Sequence, residues 1–238
     1  MAQGDILTTG FAQSIFDVTA TREHPLGTTR ITEDGREFRY ARNGGVALKA
    51  GYPTESMATV AGQTTMYATT TFAIGTKTMT FTNNATAVTS DQYKEGYMVV
   101  AVGTGIGQFF RVESNNAEST GSGTLTVTIK ESLRVALDTT SYVDLIYNPF
   151  DLIVVSTGNA KVPAGIPPVA VPASYYYWTQ NGGIACGFMA GTEPVGGKMS
   201  FGNGVVELSN AYTDNTAAIQ VALVGIASNC KAIWLMGT

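Results

Sequence analysis

The chain has 238 residues, with 14 Lys or Arg against 18 Asp or Glu and a net charge of −4. That length buries a full core in one large all-β domain or two smaller ones. The charge balance lacks the basic face needed to neutralise several phosphates, which argues against direct DNA or RNA binding. Only 13% of residues are charged while 27 are Gly. Polarity rests on Thr, Asn and Ser, which suits strands, tight turns and protein contacts better than the surface of a free, highly charged enzyme.

Residues 1–35 are polar, with scattered apolar anchors at Ile6, Leu7, Phe11, Ile15 and Phe16. They read as an extended N-terminal arm lying on the chain's own body or on a partner. The start, MAQGDILTTGFAQSIF, has neither a basic nor an apolar leader region, so no targeting signal is expected. No window approaches the roughly 18 continuous apolar residues of a helical membrane span.

Beyond the arm, strand signals recur in order at 36–43, 76–84, 96–103, 108–115, 123–131, 142–148, 151–157, 174–181, 204–209, 218–228 and 231–237. Each shows period-2 alternation or a β-branched run, bounded by Gly, Asn, Asp, Ser or Pro. The expected class is all-β, with sandwich- or barrel-like domains and little helix. One helical turn is expected in SDQYKEGY, capped by Ser90 and ended by Gly96. The Thr-rich strands of 64–147 read as a β-domain inserted into a second one built from 36–63 and 148–238. The proline-rich run 160–175 reads as a rigid connector.

Gly103, Gly105 and Gly107 precede QFFRVES, an aromatic, β-patterned run. A dinucleotide loop needs G-x-G-x-x-G opening a helix, and a P-loop needs Lys followed by Ser or Thr. Neither condition is met, so the glycines read as a hairpin connection permitting positive φ. Asn181-Gly182 likewise reads as a tight turn.

Catalytic chemistry has little to use. His24 is the one histidine, and no G-x-S-x-G elbow supplies it with a nucleophile. Cys186 and Cys230 lack metal-ligand spacing and read as small buried hydrophobes. Carboxylates for glycan hydrolysis could be drawn from Glu113, Asp138, Asp144 and Asp151, with no pattern selecting a pair. No cofactor and no metal is expected.

The run Tyr175, Tyr176, Tyr177, Trp178 places large rings on both faces of one strand, Tyr175 with Tyr177 and Tyr176 with Trp178. These residues and Trp234 read as core or subunit-interface aromatics, because such rings anchor protein interfaces. A sugar-stacking platform is the alternative.

The phrases DGREFRYARNGGVALKAG, GQFFRVESNNAESTGSGTLTVTIKESL, LDTTSYVDLIYNP, YYYWTQNGG, AIQVALVGIAS and AIWLMG together resemble tailed-bacteriophage virion proteins, especially capsid decoration (cement) proteins. The resemblance covers residues 34–238, with Gln220 and Val221 standing where that group has Ile-Gly. It implies a non-enzymatic, β-rich structural protein of the virion. Such a protein would be a homotrimer, assembled in the bacterial cytoplasm, that binds the major capsid protein and stabilises the head. Its arm anchors Ile6, Leu7, Phe11, Ile15 and Phe16 would be candidates for the capsid contact. A tail, fibre or other component binding host-surface glycans is the second reading, and a carbohydrate-active enzyme the third.

Overall fold

The computed structural model describes residues 13–84, 86–119, 123–158, 161–189, 191, 196, 198–208, 216–220 and 229–236. The protein is all-β in two units, one formed by Met1–Met57 with Pro149–Thr238 and the other by Ala58–Asn148. The second unit runs from Ala58 to Asn148, against the 64–147 read from the sequence.

The first unit carries a seven-stranded antiparallel sheet. Its strands are β1 (Thr29–Ile31), β2 (Glu37–Arg42), β12 (Tyr176–Phe188), β13 (Lys198–Phe201), β14 (Val206–Leu208), β15 (Thr216–Gln220) and β16 (Cys230–Met236). Their order is β1-β2-β12-β16-β15-β13-β14. A small sheet of β3 (Thr54–Glu55), β10 (Val154–Val155) and β11 (Pro163–Gly165) completes it. The proline-rich segment is thus part of the fold: β11 pairs with β3, and Leu48 bridges Val171.

The second unit is one six-stranded sheet. It contains β4 (Met66–Tyr67), β5 (Thr78–Thr82), β6 (Tyr97–Val102), β7 (Phe109–Asn115), β8 (Thr124–Ile129) and β9 (Tyr142–Ile146), in the order β4-β9-β6-β7-β8-β5. A bridge between Ala68 and Phe81 links its edges, so the sheet nearly closes into a barrel. Burial alternates along its strands, as a one-sided sheet requires. Met79, Phe81, Met98, Val100, Leu125, Val127, Val143 and Leu145 fill the inside.

The glycine-rich stretch is the expected hairpin. β6 and β7 are antiparallel, and Gly103, Gly105 and Gly107 all have positive φ. Three other expectations need correction. Asn181-Gly182 makes no turn, because β12 runs straight through it with a register shift between Gln180 and Gly182. β2 holds its first half and β16 its second, and two continuous ladders outweigh a local turn preference. Ser90 caps no helix: residues 90–95 form turns in which the Gln92 side chain accepts from the Thr89 amide. Finally, Cys186 and Cys230 are exposed rather than buried.

Candidate interaction surfaces

Residues 13–31 are packed on the body. Ile15 and Leu26 are buried with Phe38, Tyr40 and Trp178. Trp178 Nε1 donates to Gln13 Oε1 at 3.0 Å, the Arg30 guanidinium donates to the Gln13 carbonyl, and Thr19 bridges Tyr176. Of the five arm anchors, Ile15 is therefore spent on the chain's own core and Phe16 faces outward. Ile6, Leu7 and Phe11 lie outside the described residues.

The aromatic run divides as its alternation requires. Tyr177 is buried in one cluster with Tyr175 beside it, and Trp178 in another with Tyr176 beside it. Trp178 is 0% exposed, so it offers no ring to a sugar. His24 packs edge-on to Tyr40 at 5.0 Å and lies 5.4 Å from the Trp178 ring. Burial holds its pKa below the ordinary imidazole value, with Glu23 opposing and Arg30 assisting.

Three of the four candidate carboxylates have structural tasks. Asp138 accepts from Thr104 Oγ1 at 2.6 Å and from the amide and hydroxyl of Thr140, which clips the β6–β7 hairpin to the loop before β9. Those bonds hold its pKa below the usual carboxylate range. Asp144 accepts from the Thr65 amide at 2.7 Å, and Asp151 takes a two-point ion pair from Arg42. Glu113 sits on a strand surface beside Lys94, Glu95 and Lys130. Among the described residues no group of three His, Cys, Asp or Glu could hold a metal ion.

Two apolar surfaces remain. In the first unit, β12 and β16 turn Ala185, Ile233 and Leu235 into the core. Their other face presents Ile184 and Trp234, directly opposed in register, with Met236 nearby; each is about half exposed. Beside them lies a groove of about 530 Å³ lined in part by Phe16, Pro167, Pro168, Cys186 and Cys230.

In the second unit the strand directions settle where the exposed apolar groups go. β6 and β4 end, and β5, β7 and β9 begin, at the same end of the barrel. All seven exposed large hydrophobics of that unit's described residues, Tyr67, Ile74, Val102, Ile106, Phe109, Val135 and Tyr142, belong to these strand ends and their connecting loops. The loops are tied together: the Gln108 carboxamide donates to the Val135 carbonyl and accepts the amides of Arg134 and Val135, each at 3.0 Å, and the Gly75 amide donates to the Leu133 carbonyl. Side-chain and backbone hydrogen bonds thus link the loops that carry this apolar crown.

Sequence reasoning found Trp234 but missed Ile184, Met236 and the crown. The unbroken apolar run AIWLM was the available signal for a strand covered on both faces. The crown had no such signal, because its residues come from five separate segments. Comparison with family models, curated proteins and solved structures gives no match.

Proposed function

We propose that the protein is a non-enzymatic structural component of a tailed-phage virion, a capsid decoration protein that binds the major capsid protein and stabilises the assembled head. The observation that carries this reading is the apolar crown. Scattered surface hydrophobics are ordinary, but seven gathered at one end of one barrel, on loops pinned by side-chain hydrogen bonds, mark a contact surface. The β12–β16 face with Ile184 and Trp234 is a second such surface and suits the subunit contact of a homotrimer. Residues 1–12, with Ile6, Leu7 and Phe11, remain the segment for an arm contact. Supporting evidence also includes the structural use of every candidate catalytic carboxylate except Glu113, which stands on an open strand surface.

Of the two rings offered to the glycan-binding alternative, Trp178 is internal and Tyr176 is only part-exposed. The test is solution mass together with co-sedimentation on DNA-filled heads, for the full chain and for a chain beginning at Gln13. Trimers that pellet with heads, with weaker pelleting of the shortened chain, support the reading. A monomer that never pellets overturns it.

A further inference from the structure

Cys186 and Cys230 stand on neighbouring antiparallel strands, with Cys186 opposite Ala232 and Cys230 opposite Phe188. They are diagonal neighbours on the same face of the sheet. Both are exposed, both line the groove beside Ile184, and Cys230 is near enough to push up the pKa of the Cys186 thiol. The Cys230 sulfur is packed so closely on Gly51 that a Cβ there would lie 2.7 Å from it. That contact limits where the Cys230 sulfur can turn. Among the described residues no third His, Cys, Asp or Glu joins the pair, so it lacks the ligands of a zinc site. Arg36 and Lys231 also line the groove, which an anionic reagent such as glutathione would enter.

We propose that Cys186 and Cys230 form a thiol modification site, a dithiol that closes to an intrachain disulfide when the protein meets a small disulfide oxidant such as oxidised glutathione. The thiolate of one cysteine attacks a glutathione sulfur, forms a mixed disulfide and expels glutathione thiolate. The second cysteine loses its proton, attacks the protein sulfur of that mixed disulfide and expels the second glutathione. Two protein thiols lose two electrons and two protons, and one glutathione disulfide becomes two thiols. Cys186 is the poorer leading nucleophile, because burial, reinforced by Cys230, pushes its pKa up to about 11. Closure ties the last strand, β16, to the long strand β12 beside the exposed Trp234.

The test treats native full-length protein with oxidised glutathione and reads intact mass, free-thiol count and disulfide-linked peptides, alongside Cys186→Ser and Cys230→Ser. The expected wild-type product has lost two hydrogen atoms, holds no glutathione, has no free thiol and yields a peptide pair joining positions 186 and 230. Each single variant should instead hold one stable glutathione, and dithiothreitol should reverse every product. Serine at an exposed strand position leaves the fold intact, and the wild-type peptide map stands even if a variant fails. Wild type that accumulates two glutathione adducts, that keeps both thiols free while the variants react, or whose variants fail to react while folded, overturns the proposal.

Discussion

His24 couples the N-terminal segment to pH. Its ring lies against Tyr40 and Trp178, and burial disfavours its charged form, so its folded pKa lies below the unfolded value. The unfolded state then binds more protons between those two values, and stability rises with pH across that window. The contribution is complete above the ordinary imidazole pKa and is lost as pH falls toward the folded value. Trp178 fluorescence should therefore report loosening of residues 13–31 on mild acidification, and His24→Phe should remove that step. A profile identical in the variant would assign the transition to another group.

A second residue-scale case is Glu55, 1% exposed. It accepts from Ser156 Oγ, from the amide and hydroxyl of Thr157, and from Lys161 Nζ at 2.9 Å. Removing the cation leaves a buried carboxylate without its countercharge, which costs about 3 kcal/mol. Lys161→Met should lower the urea midpoint accordingly, while Glu55→Gln with Lys161→Met should recover part of the loss. None of this was legible in the sequence, because Glu55 and Lys161 stand far apart in the chain and meet only through the pairing of β3 with β10 and β11.

At the scale of elements, the β6–β7 hairpin offers a controlled comparison. Gly103 and Gly107 both have φ above +80°, but a Cβ on Gly103 would lie 2.0 Å from the Thr140 carbonyl oxygen, whereas one on Gly107 would meet nothing within 4 Å. Gly107→Ala should cost about 1 kcal/mol for the left-handed backbone. Gly103→Ala adds a backbone collision and should cost at least about 2 kcal/mol more. Equal midpoints in denaturant for the two variants would mean that the hairpin yields at Gly103. The hairpin itself was legible from its glycines and the alternating runs beside them, and so were the barrel strands β5 to β9, because one-sided burial writes period 2 into the sequence; β4, two residues long, was not. β12 was half legible. Its aromatic alternation correctly separated Tyr177 from Trp178, yet Asn181-Gly182 read as a turn, because a local dipeptide carries no information about the two strands that flank it.

Across the whole molecule, fold class follows from composition and punctuation, whereas the interaction surfaces follow from topology. The crown gathers Tyr67, Ile74, Ile106, Phe109 and Val135 from strands and loops distant in sequence, and no local pattern announces that they share an end of the barrel. The N-terminal segment shows the converse: its polar composition read as an arm through residue 35, yet Ile15, Leu26 and β1 bind 13–31 to the body. Of the arm anchors in this packed segment, Phe16 alone is left exposed. The proposed function rests on surfaces rather than on a cleft, and the decoration reading stands or falls with what covers the crown.

The most direct test of the decoration proposal is co-sedimentation of the protein with DNA-filled phage heads, comparing wild type with Ile74→Asp plus Ile106→Asp. Both positions are solvent-exposed, so each change should alter folding stability by only about 0.5 kcal/mol. The account predicts that wild type pellets to saturation while the folded double variant stays in the supernatant. A folded double variant that pellets as fully as wild type would contradict it.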